Sequence, residues 1–405
     1  MASPGRVLII VQNLPVPFDR RVWLEAKALT DSGYTVSVIS PKGRKGDYAA
    51  SEEELEGIQI YRYTPPPEAE SPLGYIFEFS YCWVRTAWLS LKVARRQGID
   101  ILHACNPPET FFIFGWVVQR FGGRFIFDHH DLSPEMYVAK GGREGGLLHR
   151  GLLALERLTF KTADAVIATN QSHKAVAMER GGVSENRIFI VRSGPDTERL
   201  HITPVAPELK DGYRFLACYL GEMCPQDGVD YLLRAIDHLV SRGGHKDTRF
   251  VLMGGGPSLD DLRAMSHELN LDRYVTFTGR VSDEDLCRYL STADVCLDPD
   301  PLTAWSDQST MNKIMEYMAF GRPIVAFDLK ETRRSAEGAA VYAPPNDTRA
   351  FAELVAELLG DPERRFQMGE IGRQRVHDEL SWTYSVPNLL AAYRSVSKTR
   401  PGEVR

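Results

Sequence analysis

Two kinds of apolar pattern alternate along this chain. One is a short unbroken run rich in β-branched residues, which suits a strand buried on both faces. The other repeats every three or four positions and suits a helix with one apolar face. Residues 6–11 form a run of the first kind, a polar loop follows to 21, and a helix over 22–32 is closed by Gly33. Residues 34–39 are the next strand, and strand, loop, helix, strand is the opening of a doubly wound α/β domain. Further strands are predicted over 58–63, 100–104, 124–127, 165–169 and 188–191. Residues 203–212 are Pro-rich and polar and read as a linker, after which the pattern restarts. The second set comprises strands over 215–220, 250–253, 275–279, 295–297, 323–327 and 340–343. Helices are predicted over 229–242, 348–359, 362–376 and, last, 384–396.

One predicted helix, 75–96, carries Tyr75, Phe77, Phe79, Tyr81, Trp83 and Trp88 and closes with Lys92, Arg95 and Arg96. Aromatic and basic residues together suit a membrane interface. The competing reading, which the composition favours, is a core helix covered by its neighbours on most faces. A chain of 405 residues can hold two cores, and 43% hydrophobic with 25% charged residues is ordinary for globular domains. The net charge of −6 gives no reason to expect nucleic acid. Six cysteines without zinc spacing read as reduced thiols, which with the lack of a signal-peptide pattern points to the cytoplasm. No apolar run is long enough to span a membrane.

Candidate chemistry gathers in three places. The first is a polar loop from Trp305 through Gln308, Ser309 and Thr310, followed by a helix whose Met311, Ile314, Met315 and Met318 make one apolar face. Lys313 and Glu316 project near the start of that helix, where free N–H groups and the dipole favour a phosphate. A capped helix with Lys313 and Glu316 paired to each other is the plainer alternative. The second is the loop Gly254, Gly255, Gly256 and Pro257, which lets backbone approach a ligand. The third follows the strand over 124–127 and holds His129, His130, Asp131 and Glu135, with His103 at the end of the strand before it. Its spacing fits no zinc pattern, so no metal is expected. Asp298-Pro-Asp300 mimics a metal-binding Asp-x-Asp and reads instead as a loop feature. Arg20 and Arg21, at the start of the first helix, read either as phosphate contacts or as solvated charges. No Gly-x-Gly-x-x-Gly follows the first strand, which argues against a dinucleotide site.

Glu316-Tyr-Met-Ala-Phe-Gly-Arg-Pro-Ile-Val325 resembles the nucleotide-binding segment of the retaining glycosyltransferases of glycosyltransferase family 4. Glu316 matches the second of that family's paired glutamates, and Gln308 stands where the first would be. The resemblance implies an α/β GT-B fold, with two Rossmann-like domains and an interdomain cleft. Residues 1–202 would form the first domain and 203–381 the second, with residues 382–405 crossing back. It implies a hexosyltransferase that moves a sugar from a nucleoside-diphosphate sugar to an acceptor hydroxyl with retained configuration, without metal or other cofactor. Glu316 would hold the donor ribose, Gln308 the sugar, and Lys313 with Arg280 the diphosphate, beside Ser309, Thr310, Gly254 and Gly255. His130 and Asp131 match the family's catalytic His loop, and Arg20, Arg21, His103 and Glu135 would lie on the acceptor or phosphate side. Expected partners are the nucleotide sugar and a sugar, lipid-linked or small-molecule acceptor, with no nucleic acid and with peripheral contact to the inner face of a membrane. The chain departs from the family where Glu222 and Asp227 replace the usual basic pair that grips the diphosphate. That departure keeps two alternatives open, a non-catalytic partner protein and a GT-B sugar-nucleotide epimerase.

Overall fold

The first apolar run becomes β1 (Arg6–Ile10), the middle of a sheet that later segments extend on both sides. In the computed structural model, residues 4–43, 48–67, 72–197 and 199–397 are described, the side chains of 72, 73, 75 and 76 excepted. Tyr75 of the aromatic helix and the predicted tail 398–405 therefore lie outside the described side chains and residues. The first sheet is completed by β2 (Thr35–Pro41), β3 (Glu52–Leu55), β4 (Ile58–Tyr63), β5 (Ile101–Cys105), β6 (Arg124–His129), β7 (Ala165–Ala168) and β8 (Ile188–Ile190). Its order is β3-β4-β2-β1-β5-β6-β7-β8, and every pairing is parallel except β3 with β4. β3 is a charged edge strand, a composition that discourages pairing with another chain.

Helices α1 (Arg20–Asp31), α2 (Pro72–Arg96), α3 (Phe112–Arg120), α4 (Ser133–Ala139), α5 (Leu147–Thr162) and α6 (Gln171–Glu179) connect these strands. The second unit has its own sheet of β9 (Phe215–Leu220), β10 (Thr248–Met253), β11 (Val275–Gly279), β12 (Val295–Asp298), β13 (Ile324–Phe327) and β14 (Ala340–Ala343). Its order is β11-β10-β9-β12-β13-β14, all parallel. Its helices are α7 (Val229–Asp237), α8 (Leu259–Glu268), α9 (Asp283–Thr292), α10 (Asn312–Ala319), α11 (Lys330–Ala336), α12 (Thr348–Gly360) and α13 (Pro362–Arg375). A final helix, α14 (Trp382–Val396), returns the chain to the first unit.

Apart from the short stretch Val138–Gly142, which groups with the second unit, the break between units falls at Arg192 and Ser193, earlier than the expected 202/203, and the return falls at Ser385. The supposed linker is strapped to the second unit. Leu200 enters that unit's core, Thr203 N donates to Ser291 Oγ at 2.9 Å, and Ala206 N donates to Thr292 Oγ1 at 3.0 Å. Polar, Pro-rich composition had suggested a free tether, whereas its backbone donors find side-chain acceptors along α9.

α2 also departs from the favoured expectation of a covered core helix. Cys82, Thr86, Leu89 and Val93 are buried along one stripe, but Phe77, Val84, Trp88 and Leu91 are exposed along another. Trp83 meets Phe114 edge-on at 4.9 Å, joining α2 to α3, whose Ile113, Trp116 and Val117 are exposed too, with Phe121 just beyond it. The first unit thus presents a broad apolar face across two helices.

Candidate functional site

Within the first unit, the ends of β5 and β6 and the start of α1 bring charged side chains together out of water. Asp19 caps α1 through its Oδ1, which accepts from Val22 N at 3.1 Å, and so aims the next residues inward. Arg21 is buried rather than reaching a phosphate. Its Nε and Nη2 donate to Asp128 at 2.9 and 2.8 Å, Nη1 donates to Val191 O at 2.8 Å, and Nη2 lies 3.1 Å from Glu25. Arg20, its neighbour, is exposed. His130 Nδ1 lies 3.2 Å from Asp128 Oδ2, and the imidazole is 13% exposed. Asn106 Oδ1 accepts from the backbone N–H of both His130 and Asp131, at 2.9 and 3.1 Å, and Asn106 Nδ2 donates to Asp131 O at 2.6 Å. That clamp holds the predicted His loop.

His103 is fully buried behind this group. Its Nδ1 meets Tyr393 Oη at 2.7 Å, and its Nε2 lies 3.5 Å from Glu25 and 3.6 Å from Asp128. It supports the cluster from within rather than facing an acceptor. Burial would raise Asp128, but the charges of Arg21 and His130, with hydrogen bonding from His103 and His130, hold its carboxyl well below the usual range. Burial, reinforced by the charge of Asp128, pushes Glu25 up to about 7 against the pull of Arg21 and His103. Glu25, His103, Cys105 and Asp128 lie close enough to hold a metal ion, a grouping that sequence spacing did not reveal. Arg21 lies between the two carboxylates, 3.1 Å from Glu25 and 2.8 Å from Asp128. Glu135 belongs elsewhere: Arg180 pairs with it at 2.5 Å and also with Glu156, which approaches His129 at 3.2 Å.

In the second unit the loops after β9 and β10 interlock. Met223 N donates to Gly255 O at 3.0 Å, and Ser258 N donates to Met223 O at 2.9 Å. A Cβ at Gly254 would stand 1.7 Å from Gly221 O, and one at Gly256 would stand 2.5 Å from Met223 O. These two glycines therefore let loop pack on loop, while Gly255 has open space on its side-chain face.

Lys313 is buried and committed. Its Nζ donates to Asp300 at 2.7 Å, lies 3.3 Å from Asp298, and sits over the Tyr219 ring. The expected role at the diphosphate gives way to that of counter-ion inside a buried aspartate pair, gripping Asp300 with Asp298 beside it, so Asp298 and Asp300 have a structural task that spacing alone had not shown. Burial and the charge of Asp300 push Asp298 well above the ordinary carboxylate range despite Lys313. Burial likewise raises Asp227 to about 6. Glu316 is half-buried on α10, with Arg199 Nη2 at 3.7 Å, and Arg199 also grips Asp283 at 2.5 Å. Arg199 escaped sequence reasoning because it lies in the segment assigned to the first domain. Arg280 is exposed at the end of β11. Gln308 Nε2 donates to Ala304 O at 2.8 Å, and Ser309 Oγ donates to Trp305 O at 2.8 Å, so both help shape the loop before α10. Thr310 is half-buried in the same loop.

Chemically, the first unit offers an imidazole backed by an ionised carboxylate, and the second offers a carboxylate, arginines and an uncapped helix start. Comparison with known proteins matches each half separately. Residues 19–199 match the description "Glycosyltransferase Family 4", and residues 214–361 match "Glycosyl transferases group 1". A GDP-mannose-dependent alpha-(1-6)-phosphatidylinositol monomannoside mannosyltransferase of Mycobacterium tuberculosis is 32% identical over 201 residues, 47% of this chain and 51% of that protein. The chain spans about half the length of curated relatives matched in this way. Among solved structures, a sucrose-phosphate synthase from Thermosynechococcus elongatus superposes with a TM-score of 0.77 at 19% identity, covering 96% of this chain and 98% of that one. An Anabaena protein solved in complex with UDP and glucose superposes with a TM-score of 0.74 at 14% identity, covering 96% and 100%. Both likenesses establish the GT-B fold.

Proposed function

Because the chain belongs to glycosyltransferase family 4, we propose that it moves a hexose from a nucleoside-diphosphate sugar to an acceptor hydroxyl, with retention of configuration, in glycan assembly. The observation that carries the reading is Glu316. It is a half-buried carboxylate on α10 in the position the family uses for ribose, beside Arg199 and behind a helix start that no side chain caps. Within the second unit Arg199 and Arg280 supply the cations for the diphosphate that Lys313 cannot, and the first unit contributes His130, with Asp131 next to it, to the transfer step. Gly255 lets the backbone approach the donor. Positive groups and the helix dipole then stabilise the departing diphosphate. Free cysteines support a cytoplasmic setting. No helix among the described residues is long and apolar enough to cross a membrane. The exposed face of α2 and α3, with Arg85 and Lys92 over Trp88, instead suits lying against a lipid surface that carries the acceptor.

The test is calorimetric titration with UDP- and GDP-sugars, followed by assay of the binding donor with lipid-linked and free sugar acceptors. Release of the nucleoside diphosphate with a new glycosidic bond of retained configuration is expected. Binding with no transfer to any acceptor would instead favour the second reading, a non-catalytic partner. That reading draws on acidic Glu222 and Asp227 in the loop after β9.

A further inference from the structure

The charged cluster behind His130 contains more than the proposed transfer needs at its surface. Asp128 is fully buried, as is Glu25, and Arg21 nearly so, so none of the three can touch a ligand. They belong to a connected set of contacts. Tyr393, delivered by α14, meets Nδ1 of His103, whose Nε2 faces Glu25 and Asp128. Asp128 is gripped by two nitrogens of Arg21 and presents the same Oδ2 to Nδ1 of His130. The backbone of His130 is separately pinned by Asn106.

We propose that Asp128 and Arg21 are positioning residues for His130, holding the imidazole with Nδ1–H toward Asp128 and Nε2 on the outward edge, ready for a ligand. Two carboxylates flank the imidazole, Asp128 on β6 and Asp19 ahead of α1, and one cation opposes them, Arg21 on α1. Burial alone would lower the proton affinity of His130, and Asp128 outweighs it, so the ring titrates above its ordinary range. Arg21 serves this arrangement indirectly. Its two-pronged grip keeps Asp128 ionised and fixes the carboxylate plane, which a single ammonium would not do. His103 and Tyr393 close the other side. His103 Nδ1 is engaged by the Tyr393 hydroxyl, which leaves the Nε2 edge of the ring on the side of the carboxylates.

The inference leans on the transferase reading for its rate measurement only, and its primary readout is spectroscopic. Long-range proton–nitrogen correlation spectra of the full chain would follow the imidazoles across pH, with His130 assigned by the signal missing in His130→Gln. In the wild type, neutral His130 should show the Nδ1–H tautomer. In Asp128→Asn its midpoint should fall by about one pH unit or more, with the tautomers mixed. A folded Asp128→Asn with unchanged midpoint and tautomer overturns the proposal. If that variant does not fold, Arg21→Lys replaces it: loss of the pure tautomer is expected, and an unchanged tautomer overturns the proposal. Where transfer is measurable, Asp128→Asn should lower kcat and shift its pH profile, yet cost nothing more in a His130→Gln background. Equal losses in both backgrounds would show that Asp128 does not act through His130. A chain that transfers nothing leaves the spectroscopic outcome intact, so the two readings fail separately.

Discussion

Glu316 and Lys313 lie one turn apart on α10, yet they make different predictions. Replacing Glu316 by Gln removes a charge-assisted hydrogen bond, and donor binding should weaken by about 1.5–3 kcal/mol with little change in melting temperature. Titration of donor into the variant checks this, and affinity within twofold of wild type would sink the assignment. Lys313→Met should act on stability first, because it strands Asp298 and Asp300 in the interior. Breaking a buried pair on one side costs about 3–5 kcal/mol. Chemical denaturation reads that loss. An intact fold with weakened diphosphate but normal nucleoside binding would return Lys313 to the phosphate role. Asp227 gives a pH prediction. Its carboxyl titrates at about 6, so it is charged above that value and neutral below it. Affinity for a nucleotide sugar, whose phosphates do not titrate there, should therefore rise as pH falls through about 6. Asp227→Asn should be flat across the same window, and a pH-dependent Asp227→Asn would exclude Asp227 as the cause.

α2 carries two apolar stripes with opposite tasks. The buried stripe of Cys82, Thr86, Leu89 and Val93 packs on the first sheet, where Leu89→Ala should cost about 2–5 kcal/mol. Its neighbour Trp88 is 54% exposed, and with Trp116 at 63% and Phe121 at 88% it belongs to the outward face. Trp88→Ser together with Trp116→Ser should leave stability within about 0.5 kcal/mol, as surface changes do. The same pair should sharply reduce sedimentation with vesicles of anionic phospholipid, since aromatic and basic side chains act jointly at an interface. Unchanged vesicle binding would remove the membrane from the proposed function. The sequence marked this helix as aromatic-rich and apolar on most faces but could not say which face a neighbour covers.

At the scale of the molecule, α14 links the end of the chain to the chemistry of its beginning. Ser385 Oγ donates to Arg192 O at 2.9 Å, Asn388 Nδ2 donates to Ile190 O at 2.9 Å, and Tyr393 closes over His103. Removing residues 385–405 should therefore loosen the first unit alone. Hydrogen exchange is expected to lose protection in β5 and β8 while β9 and β12 keep theirs. Loss of protection in both sheets, or in neither, would show that α14 does not serve the first unit in this way.

The sequence by itself determined the buried strands of both sheets, though not the charged edge strand β3, because a strand buried on both faces must be apolar throughout and short runs of that kind are local facts. It also determined the family and the helix that bears Glu316, since that motif is contiguous. It could not show that Arg21, Glu25, His103, Asp128 and Tyr393 meet, because their positions span most of the chain and only the parallel order of β1, β5 and β6 with α14 brings them together. Nor could it show that Lys313 belongs to Asp298 and Asp300, or that residues 199–206 belong to the second unit. A buried charge takes its meaning from the partner that neutralises it, and only the tertiary structure supplies that partner.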